Sequence, residues 1–279
     1  MALFRALETA RPPRERLFAD PLATGFLSGR LRAVATLAAL RGIGRLVPAV
    51  IDRRWPGPRP SAVVRTRAID DALRAALARG LDQLVLLGAG YDSRPYRIEG
   101  VAGVRVFEVD LPSTQAAKRR ALGAAPAHVR FVPLDFERDS LAAAMAAAGL
   151  VAGERTFTIW EGVLAYLEPA AADATLRWAS AVAGAGSELV FTYVHRGVLD
   201  GSERFPDAGP WVASVRAAGE PFVFGLEPAA LPGYLAERGW SLVEDRSTTE
   251  LLAQHGLPTA RVPGFYRLAR AAVLQPLLR

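Results

Sequence analysis

The stretch LVLLGAGYDSR, Leu84 to Arg94, decides the fold. Its apolar start is too short for a helix and reads as a strand buried on both sides. The Gly88-Ala89-Gly90 that ends it is a backbone turn that another group approaches closely. At the carboxyl end of the first strand of a doubly wound sheet, that group is typically a nucleotide. Downstream the pattern repeats. VRVFEVD (104–110), VRFVPLD (129–135), TFTIWEG (156–162) and SELVFTYV (187–194) read as strands. LPSTQAAKRRAL (111–122), SLAAAMAAAGL (140–150) and EPAAADATLRWASAVA (168–183) read as the helices between them. Strands alternating with helices predict an α/β fold, a mostly parallel Rossmann-like sheet with helices on both faces.

The flanks read differently. The first 60 residues are expected to form a helical cap, broken at Pro12-Pro13, Pro21 and Pro48, on a domain spanning 61–279. Asp20-Pro21 is a helix-start signal. Leu31–Val50 reads as an amphipathic helix broken by Gly42 and Gly44, and WPGPRPS (55–61) as a turn. Ser61 then caps a helix over Ala62–Arg79, which Gly80 ends. After Val194 the alternation stops. Residues 195–226, rich in glycine and proline, read as a lid insertion without elements of its own. A helix over Pro228–Arg238, a strand at WSLVEDR (240–246) and a last strand within VPGFYRLARAAVLQ (262–275) complete the chain.

Composition narrows the function. With 51% hydrophobic residues in 279, disorder is excluded. The chain has no cysteine, which rules out a disulfide scaffold, a thiolate metal site and a cysteine nucleophile. Its three histidines, His128, His195 and His255, are dispersed, so no metal is expected. No secretory signal opens the sequence, and Leu31–Val50 carries Arg32, Arg41 and Arg45, so it is not a membrane span. A soluble cytoplasmic protein is expected. The net charge is +6, but Lys118 is the only lysine and the arginines are spread along the chain. That is dispersed surface charge rather than a nucleic-acid footprint, and it suits a small acidic or aromatic substrate.

Three strand tips carry the chemistry. About 20 residues after the glycine turn the second strand ends in FEVD, where a carboxylate can accept both ribose hydroxyls. Glu108 and Asp110 share a face, and Asp110, beside Leu111 at the tip, is the better placed. The third strand ends in Leu134-Asp135-Phe136. Asp135 can accept an adenine amine while Phe136 packs on the ring. Ser93 stands where a dinucleotide fingerprint needs its third glycine, and no phosphate loop is present. S-adenosyl-L-methionine, which needs no pyrophosphate cradle, fits better. Glu161, at the fourth tip, is placed to meet its methionine ammonium. Arg65 or Arg67 can clamp a carboxylate of cofactor or substrate. His195, just past the fifth strand, is a candidate base or substrate contact. Tyr166 and Tyr193 read as aromatic wall, Trp211 and Phe222 to Phe224 as an apolar acceptor pocket.

RLFADPLATGFL (16–27), VVRTRAIDD (63–71), GAGYDSRPYR (88–97), VFEVDLPSTQAAK (106–118), VPLDF (132–136) and WEGVLAYLEP (160–169) together resemble the leucine carboxyl methyltransferase-like group. That group of S-adenosyl-L-methionine-dependent methyltransferases includes bacterial O-methyltransferases of polyketide and other natural-product pathways. The resemblance runs from about Arg5 to the C-terminus and implies a seven-stranded class I methyltransferase sheet with an antiparallel last strand. It implies that Gly88, Ala89 and Gly90 line the cofactor, Asp110 binds its ribose, and Asp135 and Phe136 hold the adenine. It further implies that Glu161 meets the amine and Arg65 a carboxylate, with Tyr166 beside the methyl acceptor. The C-terminal third looks like the bacterial small-molecule members rather than those that recognise a protein terminus.

The expectation is therefore an O-methyltransferase of a carboxyl or hydroxyl group. Three rivals remain at the level of sequence. They are an NAD-dependent oxidoreductase, a module that binds the cofactor without catalysis, and a methyltransferase fold recruited for a non-methylating reaction.

Overall fold

A computed structural model describes residues 1–40, 44 and 46–274. Seven strands form one sheet: β1 (Gln83–Leu87), β2 (Arg105–Asp110), β3 (Val129–Pro133), β4 (Thr156–Trp160), β5 (Glu188–Val194), β6 (Trp240–Ser247) and β7 (Tyr266–Val273). Their order is β3-β2-β1-β4-β5-β7-β6. The first five run parallel, and β7 lies antiparallel between β5 and β6. The order reverses between β1 and β4, so a crevice opens beyond their carboxyl ends, where ligands bind in such sheets.

The helices are α1 (Ala2–Thr9), α2 (Gly29–Ala38), α3 (Leu46–Arg54), α4 (Pro58–Ala78), α5 (Arg94–Arg97) and α6 (Pro112–Leu122). They continue as α7 (Leu141–Ala147), α8 (Pro169–Val182), α9 (Gly197–Asp200), α10 (Ala208–Ala217), α11 (Leu231–Ala236) and α12 (Thr248–Gln254). Side-chain alternation along each strand feeds two cores. Val85, Leu87, Phe107, Trp160 and Phe191 pack on one face with Leu176 of α8 and Leu235 of α11. Leu84, Leu86, Val106, Phe157 and Ile159 pack on the other with Ile69 and Leu73 of α4 and Leu251 of α12.

The five parallel strands and their helices stand where the sequence pattern puts them. The flanks depart from it in five places. Asp20-Pro21 starts a turn, not a helix. One oxygen of Asp20 accepts the Leu22 and Ala23 amides as a cap would, but the other is held by Arg5 Nε at 2.7 Å and Ser93 Oγ at 2.6 Å. The Leu31–Val50 segment forms two separate helices, α2 and α3; its expected break at Gly42 lies outside the described residues, as does Gln275 of the last strand. Helix α4 begins at Pro58, inside the expected turn. Pro58 and Pro60 occupy its first turn, where amides have no helical acceptor anyway, so Ser61 sits within the helix rather than capping it. Residues 195–226 carry two helices, α9 and α10. Helix α10 buries only Ala208 and Trp211, too narrow a stripe to show as a period. Helix α12 was not expected at all, although Ser247-Thr248-Thr249-Glu250 is a capping box, with both reciprocal hydrogen bonds formed.

Candidate active site

Beyond the tips of β1 and β4 lies a cavity of about 500 Å³, walled by α1, α4, the glycine turn, residues 161–166, α10 and the start of β7. Its floor is the turn. Gly88 and Gly90 hold φ of +67° and +43°, a region open to glycine at little cost. The Ala89 amide donates to the Val109 carbonyl at 2.9 Å. The Gly90 amide donates to Asp110 Oδ2 at 2.5 Å, and the Leu111 amide to Oδ1 at 2.7 Å. Asp110 thus ties the tips of β1 and β2 together.

Behind the turn is a buried charge network. Arg94, only 2% exposed, reaches Asp70 at 2.8 Å, Asp92 at 2.5 Å and Glu161 at 3.2 Å. Burial works against its charge, but Asp92, Asp70 and Glu161 outweigh that and hold its pKa above the ordinary value. Burial likewise opposes ionised Asp92, yet Arg94, Lys118 and Arg5 bring it down to about 2. Arg97 adds two more bonds to Asp70. The loop after β1 is clamped by this network to α4.

Glu161 faces the cavity from the tip of β4, and its Oε1 lies 3.4 Å from Arg65 Nε. Arg65 is further fixed by Ser61 Oγ and by the Tyr266 ring, whose centroid is 4.2 Å from its guanidinium carbon. An anion and a cation are therefore presented together on one wall. An aromatic wall adjoins them. Tyr166 and Phe222 meet at 5.5 Å, and Trp211 stacks on Tyr266 at 5.4 Å with 7° between planes. Burial, then Tyr266 and Glu220, push the Tyr166 hydroxyl up, so it is neutral near pH 7.

Of the residues singled out from sequence, Gly88, Ala89, Gly90, Glu161, Arg65, Tyr166, Trp211 and Phe222 line this cavity. Asp110 and Leu111, and Asp135 and Phe136 at the tip of β3, stand along the adjoining row of strand tips. Asp135 accepts the Glu137 amide at 3.0 Å and has Arg138 at 3.7 Å. Three residues lie elsewhere. Tyr193 is fully buried in the core, its hydroxyl donating to Asp245 of β6 at 2.9 Å. Arg67 turns to Asp71 at 2.6 Å and the Leu17 carbonyl at 2.8 Å. His195, 7% exposed, is not among the lining residues. Its Nδ1 accepts the Gly197 amide at 3.0 Å, and Nε2 faces Glu203 at 3.1 Å and Glu227 at 3.6 Å.

The lining residues that escaped the sequence reading include four with chemistry of their own, Arg5, Asp92, Glu220 and Tyr266. Asp92 sits inside the glycine-turn motif and Tyr266 opens the last strand, so position alone signalled them. Arg5 and Glu220 carry no local mark. Among the described residues no group of three or more metal-ligating side chains is arranged to hold an ion, and no helix is long and apolar enough to cross a membrane.

A model of the leucine carboxyl methyltransferase family matches residues 1–180. A Frankia alni protein named among the S-adenosyl-L-methionine-dependent methyltransferases is 36% identical over 266 residues, covering 92% of this chain and 86% of its own. A Streptomyces avermitilis protein of the same description is 35% identical over 273 residues, covering 94% and 88%. Two solved structures share the fold at 16% identity. One is a DUF574 family protein of Streptomyces avermitilis, with TM-score 0.59 over 96% of this chain and 99% of its own. The other is a Thermobifida fusca protein described as a methyltransferase, with TM-score 0.61 over 96% and 97%.

Proposed function

Because the chain belongs to the leucine carboxyl methyltransferase family and is an S-adenosyl-L-methionine-dependent methyltransferase, we propose that it methylates a carboxyl or hydroxyl oxygen of a small aromatic or polyketide-like metabolite in the cytoplasm. One observation carries this reading. A single cavity has paired opposite charges, Arg65 and Glu161, on one wall and an aromatic end built by Tyr166, Trp211, Phe222 and Tyr266.

The residues present fit the cofactor. The Gly88–Gly90 turn leaves its backbone bare beside the cavity; a Cβ at Gly90 would meet nothing nearer than the Gly88 carbonyl at 3.9 Å. In this reading Glu161 takes the amino group and Arg65 the carboxylate of the methionine end. Asp110 accepts the ribose hydroxyls, with Leu111 beside them, and Asp135 and Phe136 hold the adenine. When bound, S-adenosyl-L-methionine supplies an electrophilic methyl group on its sulfonium. The chain's part is to orient the acceptor oxygen in line with that methyl, and positioning of this kind supplies much of the barrier reduction. The aromatic end excludes water and grips a flat apolar acceptor, while residues 1–60 and 195–226 serve as cap and lid. His195 acts through the lid rather than at the reacting atoms.

A calorimetric titration with S-adenosylhomocysteine, with NADH as control, tests the cofactor. Saturable micromolar binding of the former alone is expected; NADH binding in its place overturns the reading. A panel of aromatic acids and phenols, assayed for methyl ester and ether, then tests the acceptor. Cofactor binding with no methyl transfer to any of them favours a module without catalysis.

A further inference from the structure

The charged groups on the cavity wall differ in what they are already bound to. Arg65 is held by Glu161 and Ser61, and Arg5 by Asp20 at 2.7 Å and the Tyr91 carbonyl. Asp92 and Glu161 are both paired with Arg94. Of the charged side chains on this wall Glu220 differs, an exposed lining carboxylate with no ion-pair or side-chain hydrogen-bond partner among the described residues.

Its place is set by the lid. Just after α10, the amides of Val223 and Phe224 donate to the Ala165 carbonyl at 2.8 and 3.2 Å, which lays this segment beside Tyr166. Both Glu220 and Phe222 line the cavity, while Val223 is 48% exposed. The acid therefore stands with the aromatic residues of the wall.

A carboxylate entering the aromatic end would meet the like charge of Glu220, and the lining arginines Arg65 and Arg5 are already ion-paired to Glu161 and Asp20. A hydroxyl would instead donate a hydrogen bond to Glu220. We propose that Glu220 selects a phenol or other hydroxyl acceptor over a carboxylate and receives the proton that the hydroxyl gives up. The proposal rests on the methyltransferase reading above and narrows its substrate class. The acceptor oxygen forms a bond to the methyl carbon as the carbon–sulfur bond breaks, its electron pair staying on sulfur. The hydroxyl proton passes to the Glu220 carboxylate, and solvent at the cavity mouth carries it away. The products are a methyl ether and neutral S-adenosylhomocysteine.

The test uses the full chain, wild type and Glu220→Gln, with 2-naphthol and 2-naphthoate as acceptors. S-adenosylhomocysteine is titrated first. Equal affinity in both proteins is expected, which also shows that the variant is folded. Wild type should convert 2-naphthol to its methyl ether at least tenfold faster than 2-naphthoate to its ester. Glu220→Gln should lower naphthol turnover by about 100-fold, the scale of lost general-base assistance, and narrow the preference. Glu220→Asp should restore part of both. Faster ester formation by wild type, an unchanged preference in Glu220→Gln, or no methylation of either acceptor by protein that binds S-adenosylhomocysteine overturns the proposal. So does loss of that binding in Glu220→Gln alone, which would make the residue a support of the lid. No binding by wild type would instead sink the methyltransferase reading beneath it.

Discussion

Arg65 and Glu161 are 96 positions apart in sequence and 3.4 Å apart in space, Nε to Oε1. Helix α4 delivers the first and the tip of β4 the second. The side chains are 3% and 14% exposed, and the free oxygen of Glu161 is held by Arg94 at 3.2 Å. Both charges are therefore fixed before any ligand arrives, so little conformational freedom remains to be lost when a zwitterion docks on them.

Removing either member should weaken the methionine end. For Glu161→Gln and Arg65→Ala, S-adenosylhomocysteine affinity should fall 10- to 100-fold, the ~1.5–3 kcal/mol of a hydrogen bond to a charged group. The double variant should lose less than the sum, because each single change also leaves a buried partner unpaired. Calorimetry reads all three. Unchanged affinity in either single variant removes that residue from the cofactor site.

Beneath Asp110 lies a second buried pair with a pH signature. Glu108 is fully buried, 2.7 Å from Lys118 Nζ and 2.9 Å from the Tyr96 hydroxyl. Burial raises its carboxyl from 4.5 to about 6, although Lys118 and Tyr96 pull the other way. Between those values the folded state binds more protons than the unfolded chain, so this group's contribution to stability falls as pH rises from about 4.5 to 6. Glu108→Gln removes that titration. The unfolding free energy of wild type minus that of Glu108→Gln should drop by about 2 kcal/mol across the window. Lys118→Met, which strands a buried carboxylate, should cost ~3–5 kcal/mol at pH 8 and less at pH 5. Denaturant unfolding at the two pH values decides it; a flat difference would place Glu108 in a wetter setting.

What could be read in advance followed from how far apart the deciding residues stand in sequence. The strands were legible because a sheet covered on both faces demands apolar runs, and the glycine turn because only glycine holds its backbone. Asp110 and Glu161 followed from topology, since strand ends in such a sheet converge. Arg94 closes the glycine-turn motif, but its burial depends on Asp70, 24 residues earlier, and on Glu161, 67 later. Nothing local announces a cluster of that kind. Tyr193 misled because strand alternation was not followed to the face it serves. Helix α10 was hidden because it buries so little, and the first turn of α4 because prolines that forbid a helix interior are welcome there.

His195 should behave as a lid support. With Nδ1 accepting the Gly197 amide, Nε2 carries the proton and faces Glu203 and Glu227, and the ring packs 5.1 Å from Phe205. His195→Ala should leave S-adenosylhomocysteine affinity within twofold and maximal turnover within a few-fold. It should raise the acceptor KM and speed proteolytic cleavage between α9 and α10. A 100-fold loss of turnover at saturating acceptor, with lid protection unchanged, would return the imidazole to the chemistry.

Gly88 allows two physical effects to be separated. Its φ of +67° is costly for any residue with a Cβ, by ~1–2 kcal/mol. Independently, a Cβ built there would overlap Val163 Cγ2. Overpacking of that sort costs ~1–3 kcal/mol. Gly88→Ala should thus lose ~2–5 kcal/mol of stability, the sum of the two. Adding Val163→Ala relieves the overlap but not the backbone strain. The double variant should therefore recover roughly the steric part and stay below Val163→Ala by ~1–2 kcal/mol. Chemical denaturation of the four proteins closes the cycle. No recovery would mean that backbone conformation alone makes glycine necessary at this turn. Full recovery would mean that the turn tolerates a side chain and that Val163 is what keeps it bare.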